Sequence, residues 1–194
     1  MLLVLLSGLA GCGSSDPDPA DVLDRALARE NLASFGTGPD GPTAGIVSVQ
    51  ALGFEDSILN ERQVVAKPSV MSEIRGALGA DSGLRGLVEG LEYEGSEDLD
   101  GVEVDHISGS IEVGGLARAL EEGGGEDVGS LAGIADVDLE KSLAGAEFDL
   151  YSDPGDSAIR RLDLTLAFDD PDNALPATRI RFSLTPDKPD RTFQ

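Results

Sequence analysis

The chain lacks tryptophan altogether, has one cysteine and one histidine, and draws only 4% of its 194 residues from the aromatics. Each shortage removes a class of explanation. A lone Cys cannot form an intramolecular disulfide, so no internal cross-link holds this fold. One His falls short of a zinc ligand set, and with the sole Cys at position 12, at the end of the N-terminal apolar run, no Cys is available for Cys-His catalysis. With so few aromatics the core must be aliphatic. Basic residues are scarce as well: 14 Lys and Arg stand against 37 Asp and Glu, for a formal charge of -23. Such a chain repels nucleic acid and anionic headgroups and has no basic patch, which excludes nucleic acid as a partner. The N-terminal apolar run is too short to span a bilayer permanently.

That run, MLLVLLSGLAGC, ends in Leu9-Ala10-Gly11-Cys12, the lipobox pattern of bacterial lipoprotein signal peptides. The chemistry demands it: a peptidase needs small side chains at Ala10 and Gly11, and the Cys12 thiol takes the diacylglycerol. Cleavage is expected between Gly11 and Cys12, with lipidation at Cys12. No Lys or Arg precedes Cys12, so the usual basic n-region is missing. The segment GSSDPDPA that follows is small, polar and Pro-containing, the composition of a flexible tether. The expected organisation is a signal peptide over 1–11, a lipidated Cys and tether over 12–19, and one domain over 20–194. About 180 residues suffice for one domain with a sizeable core. The expected location is the extracytoplasmic side of the cell membrane, with the anchor on Cys12 as the membrane contact.

Periodicity then places the elements. Asp18 to Asn31 reads as a first helix, with Pro19 at its start and Val22, Leu23, Ala26 and Leu27 on one face. Phe35 to Thr43 is a Gly/Pro-rich loop, Ala44 to Phe54 a strand and Arg62 to Ala66 a weaker one. Pro68 opens a helix to Leu78, with Val70, Ile74 and Leu78 in register; Ser82 opens a short one carrying Leu84, Leu87 and Val88. Leu91 to Val113 predicts a hairpin with a tight turn at Asp100-Gly101. Its second strand alternates Val102, Val104 and His106 against Glu103 and Asp105, then slips phase to Ile107, Ile111 and Val113. A bulge near Asp105-His106, or a switch in which face is covered, would account for the slip. Gly114 to Glu122 is a helix stopped at Gly123-Gly124-Gly125, and Glu126 to Leu143 holds one or two short helices. The C-terminal strands alternate most cleanly: Phe148 and Leu150; Leu162, Leu164, Leu166 and Phe168; Ile180, Phe182 and Leu184. Each presents one apolar and one wet face, as in an antiparallel meander covered on one side. The fold class is α+β.

The candidate chemistry is thin. His106 could be a general base or ligand, but its neighbour Asp105 points to the other strand face and cannot orient it. A structural or cavity-lining role is the commoner one. Asp169-Asp170-Pro171-Asp172-Asn173 and Asp136-Val137-Asp138 lack the spaced ligands of a calcium loop and read as solvated turns. The triple Gly follows a helix, so it is a stop and not a phosphate cradle. There is no GxSxG, and Ser108 lies within a strand. The chain is not expected to be an enzyme, and no metal or cofactor is expected.

The stretch DGVEVDHISGSIEV resembles a segment of the actinobacterial lipoprotein family that includes LppX, LprA, LprF and LprG, where an Asp-Gly turn leads to a strand carrying His-aliphatic-Ser/Lys-Gly. RLDLTLAF and TRIRFSLT resemble that family's closing meander, and the lipobox, tether and first helix fit it too. The resemblance covers Leu91 to Thr185; between Gly36 and Ala66 this chain supplies fewer strands, a reduced N-terminal sheet. It implies a fold like the LolA/LolB carriers: a curved antiparallel half-barrel with helices across its concave face and an apolar cavity for acyl lipids or lipoglycans between them. The inward faces would line it: Val104, His106, Leu150, Leu164, Leu166, Phe182 and the helix residues Ile74 and Leu78. Three functions follow. The first is lipid binding or trafficking, with an acyl lipid or glycolipid as ligand. The second is a structural or interaction lipoprotein with a filled core. The third, least favoured, is a calcium-dependent or hydrolytic protein.

Overall fold

In a computed structural model, the structure describes residues 16–35, 37–38, 41–42, 45–52, 58–66, 71, 78, 83–122, 139–169 and 178–186. Gly11 and Cys12, Ile74, the triple Gly and the acidic segments 136–138 and 170–173 lie outside them.

The described chain begins with a helix whose start is written in its sequence. In α1 (Pro19–Ala26) the Asp18 side chain accepts a hydrogen bond from the Ala20 amide at 2.9 Å, Pro19 occupies the first turn, and Asp21 favours the positive end of the dipole. Val22, Leu23 and Ala26 form its buried stripe. The single helix expected to Asn31 is in fact two. Leu27 leaves helical geometry at ψ 3° and Ala28 is extended at ψ 145°, after which α2 (Arg29–Ser34) sets off anew. The Asn31 amide donates to the Arg25 carbonyl at 2.6 Å, satisfying a group that the break exposes.

A small hairpin of β1 (Thr37–Gly38) and β2 (Gly41–Pro42) occupies the segment read as loop. The main sheet takes β3 (Gly45–Leu52), β4 (Ile58–Ala66), β5 (Val88–Leu99), β6 (Val102–Ile111), β7 (Leu143–Ser152), β8 (Ile159–Phe168) and β9 (Thr178–Pro186). Its order is β4-β3-β9-β8-β7-β6-β5, and every neighbouring pair is antiparallel. The last five strands thus form a continuous meander, and the β3-β4 hairpin joins it beside β9. β4 is longer than the weak strand expected at Arg62–Ala66, because pairing with β3 carries it back to Ile58. This is an α+β fold with an open, curved sheet.

The β5-β6 turn is the expected two-residue one. Asp100 and Gly101 have φ of 56° and 83°, the pair of positive values that a type I′ turn needs. Of the two expected causes of the phase slip, the change of covered face holds: β6 is regular, with Val104 and His106 buried on one face and Ile107 and Ile111 on the other, and the extra residues fall in β5, between Glu89 and Glu92 and between Tyr93 and Gly95. Gly95, at φ 121°, takes the conformation that the bulge requires.

Further helices among the described residues are α3 (Leu84–Leu87), α4 (Val113–Glu122) and α5 (Leu139–Ser142), and Met71 and Leu78 are helical as well. The Glu112 carboxylate starts α4 by accepting from the amides of Gly114 and Gly115 at 3.0 and 2.5 Å. α1 packs on β5, β6 and β7, and α4 packs on β7. One core results, joining Val22, Leu23 and Ala26 to Ile107, Phe148, Leu150 and Leu166 of the sheet. A buried side chain such as Leu150, with no exposed surface, contributes about 1.5–3 kcal/mol relative to exposure.

Candidate functional site

Register determines what each face of the sheet can do. On the helix-covered face three cross-strand rows run from β6 or β7 to β3. Ile107, Leu150, Leu162, Leu184 and Val47 make the first, Phe148, Leu164, Phe182 and Val49 the second, and Ala146, Leu166, Ile180 and Ala51 the third. The first row is buried throughout, as are Leu166 and Ile180 of the third. In the second row Leu164 and Phe182, directly opposite one another on β8 and β9, are only half-buried, although Phe148 and Val49 beside them are buried. At the centre of the apolar face these two side chains are thus only partly covered, packed against buried neighbours.

The expected cavity residues divide between the faces. Leu150, Leu164, Leu166 and Phe182 share the apolar face, and Leu78, also buried, joins the same core. Val104 and His106 do not. β6 keeps strict alternation, so with Ile107 turned to the core, His106 and Val104 fall on the opposite side. Both are buried, yet neither belongs to the main core. The proposed lining is corrected on these two residues.

The opposite face is a ladder of polar pairs. His106, Tyr151 and Arg161 are successive partners on β6, β7 and β8. The imidazole stacks on the phenol with centroids 4.2 Å apart and planes at 18°, and the Arg161 guanidinium lies 4.0 Å from the phenol centroid. His106 Nδ1 lies 2.7 Å from Glu97 Oε1, and Nε2 lies 2.9 Å from Asp149 Oδ1. Ionised carboxylates only accept, so engaging both takes an N–H on each ring nitrogen.

Asp149 faces Asp163 across the next row. Burial pushes the Asp163 carboxyl up, against the lowering effects of the Ser183 hydroxyl, which donates to it at 2.5 Å, and of Arg161. Arg161 Nε stands 3.2 Å from Asp163 Oδ2, but its N–H is misaligned, so the contact is an ion pair without a hydrogen bond. Desolvation likewise raises the Tyr151 phenol, with Arg161 pulling the other way. At the end of the covered face desolvation also raises Tyr93, whose hydroxyl donates to Asp105 at 2.9 Å. In the β7-β8 turn Arg160 and the Gly155 amide hold Asp153 below its ordinary range.

Chemically, the polar face holds its carboxylates in mutual pairings. A groove of about 400 Å³ at Glu94, Ser108, Glu147 and Asp149 is polar, and Ser108 donates to Glu94 at 2.6 Å while Arg179 meets Glu147 at 3.2 Å. No group of three His, Cys, Asp or Glu side chains among the described residues is placed to hold a metal ion. Sequence reasoning missed Glu97 and Asp149 as the partners of His106. Their only local signal was wet-face alternation, since they stand 9 and 43 residues away.

Fold and site together define an α+β protein whose open antiparallel sheet has one helix-covered apolar face and one ion-paired polar face. Among solved structures the chain is similar to the crystal structure of the Mycobacterium tuberculosis lipoprotein LppX, at 14% identity and a TM-score of 0.42, over 88% of this chain and 95% of that one. It is also similar to LprF from Mycobacterium bovis, at 13% identity and a TM-score of 0.41, over 89% and 94% of the two chains. No family model matches the chain, and no curated protein matches it.

Proposed function

We propose that this chain is a lipid-anchored extracytoplasmic protein that binds an acyl lipid or glycolipid against the apolar face of its sheet. The observation that carries the binding is the partial exposure of Leu164 and Phe182. Two large apolar side chains at the middle of a covered face lose burial that their row neighbours keep, and an acyl chain laid there would remove that surface from water. The anchor rests on sequence: the lipobox ending at Cys12, the sole Cys, and the polar tether before Asp18. In this reading residues 1–11 are removed, 12–19 form the tether, and the domain from residue 20 carries the site. In this reading the protein works without catalysis.

Native mass spectrometry of the soluble form beginning after Cys12, purified from a lipid-containing host, tests the binding. The expected result is co-purified acyl lipid that dissociates under harsher activation, and its loss in Phe182→Arg with the fold retained by circular dichroism. A clean apo mass, unchanged after incubation with phospholipid or glycolipid, rejects it. The structural or interaction lipoprotein with a filled core then takes its place.

A further inference from the structure

The β5-β6 hairpin runs on past the strand that flanks it. Among the described residues β6 pairs with β7 only as far as Asp105, opposite Ser152, so Val102, Glu103 and Val104 pair with Leu99, Asp98 and Glu97 of β5 alone. β5 is an edge strand, and residues 96–104 thus form a two-stranded ribbon, an element of marginal stability by itself. The base of the ribbon carries a hinge. The register of β5 breaks between Tyr93 and Gly95, and Gly95 takes φ of 121° with open space where a side chain would stand. Its direct partner on β6 is His106. On the outer face the His106 ring joins Glu97 of the ribbon, at 2.7 Å, to Asp149 of β7, at 2.9 Å, and so ties three strands together. On the covered face the Tyr93 hydroxyl donates to Asp105 at 2.9 Å and lies 3.3 Å from the Ser96 hydroxyl.

We infer that His106 is a proton-operated latch on this ribbon: with a proton on both ring nitrogens it ties β5 to β7, and loss of one frees residues 96–104 to swing about Gly95. A neutral imidazole has a single N–H, so it can donate to Glu97 or to Asp149 and must turn a lone pair toward the other carboxylate. Both carboxylates then lose the cation between them. The other charged groups around the ring act in the same sense or are engaged elsewhere. Asp163 of β8 faces Asp149 and, raised by burial, adds its negative charge there as pH rises. Arg161 of β8 is taken up by the Tyr151 ring and by Asp163, and Glu94 of β5 accepts from Ser108. The ribbon is therefore fastened in acid and loosened as pH rises. The tie on the covered face survives that change, because desolvation raises the Tyr93 phenol. It keeps the hinge attached while the outer tie opens.

Hydrogen exchange of the full chain in detergent, with rates corrected for the intrinsic effect of pH on amides, reads the latch. Protection of residues 96–104 relative to β8 is expected to fall by about five- to thirtyfold between about pH 5.5 and about pH 8.5, the range that two partly screened contacts supply. The fall should follow the titration of the sole imidazole by NMR. His106→Gln, with its fold checked by circular dichroism, is expected to show low protection at both ends and no response to pH. Glu97→Gln repeats the test at a half-exposed site, where the change leaves folding intact, and it is expected to shrink the response. Asp163→Asn is expected to keep it. Protection that stays level across the titration overturns the proposal, as does a response that survives in His106→Gln, one of full size in Glu97→Gln, or one that vanishes in Asp163→Asn.

Discussion

Replacing His106 by Leu isolates the polar ladder from everything else in the fold. The imidazole is 8% exposed and keeps two carboxylates apart, with contacts of 2.7 and 2.9 Å to Glu97 and Asp149. A hydrogen bond to a charged group contributes about 1.5–3 kcal/mol in a dry setting. Glu97 is half exposed and Asp149 about a third exposed, so solvent screening reduces each to about 1 kcal/mol or less. The stack on Tyr151 adds about 0.5–1 kcal/mol. The expected loss is therefore about 2–3 kcal/mol, or about 4–12 °C in Tm for a domain of this size. Leu fills much of the volume, which keeps a cavity from contributing. Urea unfolding followed by far-UV circular dichroism measures the loss, and a double-mutant cycle with Asp149→Asn measures the coupling. A loss under about 0.5 kcal/mol, with no coupling, would refute the reasoning: water would then satisfy both carboxylates as well as the imidazole does.

Two further outcomes are expected. The Asp163 carboxyl is raised in the folded state by burial, so its contribution is complete below the ordinary carboxylate value and is lost as pH rises through the raised one. Asp163→Asn should flatten that fall in urea titrations between pH 4 and 7, and an unchanged profile would assign the pH dependence elsewhere. Leu150→Ala, at a position with no exposed surface, should lose about 2–5 kcal/mol. The same change at half-buried Leu164 should lose clearly less, and equal losses by urea unfolding would deny its partial exposure.

Much of the architecture could be read directly from the chain. Alternation over Phe148–Leu150, Leu162–Phe168 and Ile180–Leu184 sorts side chains by face, because a strand has a period of two whatever it pairs with. Asp100-Gly101 announces its turn through the positive φ that few other pairs adopt. Asp18 and Pro19 announce α1, since a cap and a first-turn Pro act within a few residues. These are local rules, and local chemistry is enough to enforce them.

What lay beyond the sequence involves partners far apart along it. The slip from Val104 and His106 to Ile107 reads equally as a bulge or as a change of covered face, and only the pairing decides: β6 is regular and the extra residues sit in β5. β4 reaches Ile58 only because β3 is there to pair with it. The break after Ala26 turns α2 to pack on α1 and on β1. Composition placed His106 on a strand, but register alone set it among Glu97, Asp149 and Tyr151, turned from the core it was expected to line. The partial exposure of Leu164 and Phe182 has the same origin. Both carry the apolar alternation of their fully buried neighbours, so nothing in the sequence marks them out. Whether an apolar side chain is covered depends on how the helices lie across the sheet, and that is settled by packing in three dimensions.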